Sequence, residues 1–236
     1  MFAYLRTFGK AFCGSMRGTA NREFAKPTSV TAVPPVRRDI HPILRALPLC
    51  LTALRALLGP VVVLLAVAFP SRVAFGVCLV VAFLSDVFDG IIARRLGIAT
   101  PGLRRLDSVA DSVFYLSAAF AAWWVHPDAI SELAAGIAIL IGLELGRYAF
   151  DWWKFGREAS YHMWSSKLWG IALFAGLFSL LALGVTSWPV AAAVYLGILA
   201  DIEGLAISAV LRDWQTDVPT IAHAWRLRRQ SVDSPR

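Results

Sequence analysis

Six apolar stretches of about 20 residues each, near residues 49–69, 73–96, 104–125, 129–151, 165–186 and 189–211, dominate this chain. A helix of that length crosses the hydrocarbon core of a bilayer. Lipid offers backbone groups no hydrogen-bond partners, so a spanning segment must satisfy them internally; with no β-barrel alternation in the sequence, these segments are predicted to be helices. The expected fold is therefore all-α and integral to the membrane, a bundle of six transmembrane helices. Composition agrees: 58% of the 236 residues are hydrophobic and 17% charged, against roughly 45–50% and about 25% in soluble domains. A disordered chain is excluded by this hydrophobicity, and one modest soluble core could not hide so much apolar surface.

Orientation follows from the joints, which Pro70, Pro101, Gly102, Pro127 and Pro189 punctuate. Three connections (70–72, 126–128 and 186–188) carry little positive charge. The alternate side holds Arg94, Arg95, Arg104 and Arg105 in one loop and Lys154, Arg157 and Lys167 in or beside another. The positive-inside rule places these loops and both Arg-bearing termini in the cytoplasm, and six crossings satisfy that parity. Residues 1–40 read as a basic, disordered extension, 41–211 as the membrane domain and 212–236 as a solvated cytoplasmic tail, with 39–49 as a short interfacial helix leading in. Trp123, Trp124, Trp152, Trp153, Trp164 and Trp188 sit at span ends, as interfacial anchors do. Cys13, Cys50 and Cys78 form no CxxC pair and read as small apolar fillers, and the four histidines have no ligand spacing. The net charge of +7 is mainly topological, with attraction to anionic lipid added, and does not imply nucleic acid.

Against this scarcity of charge, Asp86 and Asp89 close the second span while Asp107 and Asp111 open the third. Spacings of three and four put each pair on one helix face. The short loop between the spans makes the helices antiparallel neighbours whose pairs face each other. Four converging carboxylates repel, and hard divalent cations such as Mg²⁺ or Mn²⁺ resolve that repulsion. Two such ions stabilise both the attacking and leaving oxygens of a displacement at phosphorus. Gly90 and Ala93 remove bulk from the same stripe, and Arg94 offers a fork suited to phosphate.

These residues resemble the signature of the CDP-alcohol phosphatidyltransferases (class I), D-x2-D-G-x2-A-R-x8-G-x3-D-x3-D. The sequence supplies Asp86, Asp89, Gly90, Ala93, Arg94, Asp107 and Asp111 at intact total spacing. Leu103 stands in the later glycine slot, with Gly102 one position earlier. Upstream, residues 51–60 (LTALRALLGP) resemble the first-helix pattern of bacterial members, with Leu49 where an asparagine is frequent. The resemblance covers about residues 45–211. It implies transfer of a phosphatidyl group from a CDP-linked lipid, usually CDP-diacylglycerol, to an alcohol in phospholipid biosynthesis, with release of CMP. It further implies two divalent ions held by Asp86, Asp89 and Asp107, with Asp111 touching a metal and taking the acceptor's proton. Gly90 and Ala93 would admit the nucleotide and Arg94 would hold its phosphates, with Thr52 and Thr100 nearby. A homodimer and a bacterial inner membrane are implied in the same way.

For the acceptor, Arg147, Lys154, Arg157 and Lys167 fit either an anion pocket for a phosphorylated alcohol or positive-inside anchoring, with Arg157 and Lys167 the candidate acceptor-binding residues. Asp201 and Glu203, within the sixth span, pair with these cations or line the acceptor site. Two other classes compete with the enzyme. One is a transporter that couples cation movement to the carboxylates, since intramembrane acids also mark ion pathways. The other is an inactive scaffold, which the presence of all four aspartates disfavours.

Overall fold

The computed structural model describes residues 42–97, 100–157, 161, 163–215 and 218–233; the expected extension over 1–40 lies outside them. The described residues are helical, with no strand among them. The elements are α1 (Pro42–Ala68), α2 (Arg72–Leu96), α3 (Pro101–Val125), the short α4 (Pro127–Glu132), α5 (Ala134–Phe155), α6 (Trp164–Phe178) ending in a π-turn (Ser179–Leu183), α7 (Trp188–Val210) and α8 (Ile221–Asp233).

Local chemistry sets the boundaries. Ser71 caps α2, its Oγ accepting from Ala74 N at 3.5 Å, and α2 stops at Gly97, whose φ of 68° suits a residue without a side chain. Thr100 caps α3 in the same way, its Oγ1 accepting from Leu103 N at 3.2 Å, with Pro101 opening the first turn. The expected interfacial helix before the first span is continuous with it, since α1 runs unbroken through Pro48 and Pro60.

Five helices are long and apolar enough to cross a membrane by length and composition: Ala46–Ala68, Arg72–Leu96, Arg105–Val125, Trp164–Leu183 and Trp188–Val210. Their ends fall close to five of the six expected stretches, and the chain is a multi-pass membrane protein. The sixth stretch, 129–151, departs from expectation. It breaks at Leu133 between α4 and α5, and α5 carries Glu144, Arg147, Asp151 and Lys154, too much charge to qualify by composition. Arg147 and Asp151 are nonetheless buried, so these charges face protein. The tail also differs from a plain solvated end: α8 packs against α7 and buries Ala224.

Packing divides the helices into two groups. α1 lies against both α2 and α3, while α7 lies against both α5 and α6. Among the described residues, α2 and α3 meet each other far less than either meets α1, so the expected pairing of neighbours is mediated by a third helix. The groups join where α2 packs on α6 and its π-turn, around Phe75, Leu79, Leu180 and Leu181. In lipid, close approach rests on small residues and dispersion rather than on a hydrophobic force between helices. Gly197 on α7 shows this best. A Cβ there would stand 2.6 Å from Trp169 Nε1 and 2.8 Å from Leu140 Cδ1. Trp169 cannot yield freely, being fully buried with its Nε1 donating to Ala193 O at 2.9 Å. The tryptophans expected at the interfaces, by contrast, are all exposed on the protein surface.

Gly197→Ala is expected to destabilise the protein by about 1–3 kcal/mol through overpacking, read as a lower thermal unfolding midpoint in detergent. Gly142→Ala is the control, because a Cβ at Gly142 meets nothing within 4 Å; its midpoint should not fall.

Candidate active site

Three helical stripes converge to make the site. On α1, Thr52, Arg55, Gly59, Val62 and Ala66 recur every three or four residues and are buried. On α2 the buried stripe runs Phe75, Leu79, Ala82, Asp86, Asp89 and Ala93. On α3 it runs Asp107, Ala110, Asp111, Phe114, Ala118 and Ala121. On α2 and α3 the buried face thus carries apolar packing at one end and carboxylates at the other, and those two ends meet the Thr52 and Arg55 end of the α1 stripe.

Asp86, Asp89, Asp107 and Asp111 are all at most 9% exposed. Asp86, Asp89 and Asp107 each present an oxygen within 4.8 Å of the other two. Hard oxygen donors at this separation, buried and negatively charged in excess, fit a divalent cation of the Mg²⁺ or Mn²⁺ type. Asp111 is the deepest of the four, at 2% exposed.

The sequence did not reveal what stands among them. The Arg55 guanidinium, 1% exposed, enters from α1 and touches all four acids. Its Nη1 lies 3.0 Å from Asp86 Oδ1 and 3.2 Å from Asp107 Oδ1, and it also contacts Asp111 Oδ1. Its Nη2 lies 2.5 Å from Asp89 Oδ2, and its Nε donates to Ser85 Oγ at 3.4 Å. The available signal was a lone arginine inside an apolar helix, one turn after Thr52, since an intramembrane cation requires a named partner.

The other expected residues are placed as follows. Thr52 is buried beside the cluster, its hydroxyl donating to Pro48 O at 2.9 Å and lying 3.5 Å from Asp89 Oδ2. Gly90 faces the Arg94 guanidinium: a Cβ there would stand 3.2 Å from Arg94 Nη1. The gap left by the glycine and the phosphate-binding candidate are thus a single feature. Ala93 is buried one turn on. Thr100 is exposed and occupied as the cap of α3, with Leu103 of the motif's glycine slot as its donor.

A second polar group joins α5 to α7. Arg147 pairs with Glu144 Oε1 at 3.6 Å and Asp201 Oδ1 at 3.4 Å, the second being one of the two roles expected for Asp201. Ser208 Oγ donates to Asp151 Oδ1 at 2.5 Å and lies 3.1 Å from the Tyr161 hydroxyl. Burial pushes the Tyr161 hydroxyl's pKa up. The four cations considered for an acceptor pocket each have a local partner. Lys154 Nζ donates to Ser208 O and Ala209 O at 2.7 and 3.0 Å. The Arg157 guanidinium stacks 4.8 Å from the Trp214 ring centre, and Lys167 Nζ lies 4.0 Å from that of Trp164.

Comparison with curated proteins and with solved structures gave no match. A family model, that of CDP-alcohol phosphatidyltransferase, matches residues 45–200. The match gives the transporter reading no support. Members transfer a phosphatidyl group from a CDP-alcohol to an acceptor alcohol and in general depend on divalent metals. The matched segment takes in every side chain of the aspartate cluster together with Arg55 and covers more than half of the sequence, and on that ground this chain belongs to the CDP-alcohol phosphatidyltransferase family.

Proposed function

We propose that the protein transfers the phosphatidyl group of CDP-diacylglycerol to a polar alcohol, free or phosphorylated, and releases CMP in phospholipid biosynthesis. The observation that carries this reading is the convergence of Asp86, Asp89 and Asp107 within 4.8 Å, with Asp111 on the same face, inside the family-matched segment. The first three would hold two Mg²⁺ or Mn²⁺ ions, with Asp111 touching one of them. Held there, such ions would supply charge to neutralise the diphosphate and to stabilise the leaving CMP.

The chain's own residues do the rest. An alcohol is a weak nucleophile at neutral pH, and Asp111 takes its proton as the bond to phosphorus forms. Arg94 binds donor phosphate through its planar fork, leaning over Gly90 to do so. Ala93 keeps the α2 face low enough for the nucleotide, with Thr52 and Thr100 beside it. Lys167 and Arg157 draw the acceptor, most strongly when it is phosphorylated. The aspartates lie at the ends of α2 and α3 that carry Arg94, Arg95 and Arg105. By the positive-inside rule this is the cytoplasmic end, from which CMP leaves to water while the lipid stays in the bilayer. In this reading α5 is the sixth crossing, both termini are cytoplasmic, and the membrane is a bacterial inner membrane.

Purified protein given CDP-diacylglycerol, Mg²⁺ or Mn²⁺ and a panel of alcohols should release CMP with at least one acceptor. Chelation should stop the release and added metal restore it; silence across the whole panel overturns the transferase reading. Asp111→Asn should lower kcat by about 10²–10⁴-fold while donor binding, measured by calorimetry, is retained. Undiminished turnover would remove Asp111 from the role of base. Lys167→Ala should raise KM for a phosphorylated acceptor more than for a neutral one, and an equal effect on both assigns Lys167 to anchoring.

A further inference from the structure

Arg55 and a divalent cation make incompatible demands on the same atoms. The Arg55 Nη1 nitrogen alone addresses Asp86 Oδ1, Asp107 Oδ1 and Asp111 Oδ1, and Nη2 takes Asp89 Oδ2. Three of these acids, Asp86, Asp89 and Asp107, make up the triad whose oxygens converge. A Mg²⁺ ion sits about 2.0–2.1 Å from its ligand oxygens and demands near-octahedral order. A guanidinium already spanning those oxygens would lie against such an ion with like charge, in surroundings that screen poorly. Nor does one guanidinium balance the cluster, since four carboxylates against it leave three negative charges.

We infer that Arg55 is an internal competitor of the divalent cations: it neutralises the aspartates until cations take their oxygens, and it must withdraw for them to bind. This inference rests on the reading of the aspartates as a metal site. The anchorage of Arg55 suits withdrawal. Outside the carboxylates its guanidinium is held by Ser85 Oγ at 3.4 Å, and that hydroxyl itself donates to Ala82 O at 2.8 Å. The long, flexible stem of an arginine lets the charged end move while the helix stays in place.

Arg55 is thus a positioning residue, acting through the carboxylates.

The test is an electron paramagnetic resonance titration of Mn²⁺ on the purified full chain in detergent, paired with thermal unfolding with and without Mn²⁺. Arg55→Gln should bind Mn²⁺ about tenfold more tightly or better, melt lower without Mn²⁺, and gain more from Mn²⁺ than the parent does. Because four acids without a cation can prevent folding, Arg55→Gln with Asp111→Asn is compared in parallel with Asp111→Asn alone. The double variant keeps the cluster charge of the parent, and the same gain in affinity is expected of it. Affinity that is unchanged or weaker after removal of Arg55 overturns the inference. If the parent then still binds Mn²⁺ and releases CMP, the transferase reading stands without it. No Mn²⁺ bound by any of these proteins would sink the metal site and the inference together.

Discussion

A buried guanidinium held by four buried carboxylates is the constraint on which the first half of this protein depends. Charges removed from water cost several kcal/mol each after relaxation, and removing one member of such a group typically costs about 3–5 kcal/mol. The Arg55 cluster therefore dictates geometry: α1 must lie between the aspartate-bearing ends of α2 and α3, at a rotation that aims Arg55 inward. The apolar stripes that continue each helix from that point make this arrangement consistent along its length. Val62 and Ala66 extend the face of α1 while Phe114 and Ala118 extend that of α3.

The second half solves a similar problem with different parts. Arg147 of α5 reaches Asp201 of α7, and Asp151 of α5 reaches Ser208 of α7, so two polar ties hold one helix pair. Lys154 adds a third at the end of α7, where the last carbonyls of a helix lack intrahelical donors. These ties explain why α5 can hold four charged residues while packed within a membrane protein. They also keep Arg147 and Asp151 off the exposed face of α5, where Ile139, Ile141 and Leu145 stand instead.

How far the sequence disclosed all this depends on the range of each interaction. Span ends were legible because hydropathy and the Pro, Gly, Ser and Thr signals act locally; Thr100 before Pro101 marks a helix start on its own. The aspartate pairs were legible because spacings of three and four define a face. The partner of those pairs was not, since Arg55 lies 30 to 56 residues away from the groups it touches, and no local pattern reports which way a single arginine turns. The same holds for Arg147, Lys154, Arg157 and Lys167. Their number was plain, but whether they gather or find separate partners is decided by Trp214, Trp164 and the end of α7. The break at Leu133 has no local signal, because an apolar residue that adopts φ of −100° and ψ of 5° carries no turn signature.

The contact between Gly90 and Arg94 changes what that glycine means. A residue without a side chain beside a nucleotide site is ordinarily understood as clearance for the ligand. Here the clearance is already shared with the chain's own arginine, whose Nη1 and Nη2 lie 3.2 and 3.5 Å from the place a Cβ would take. Any side chain at position 90 both narrows the notch and displaces a positive charge. Loss of activity on substitution there would merge a steric effect with an electrostatic one.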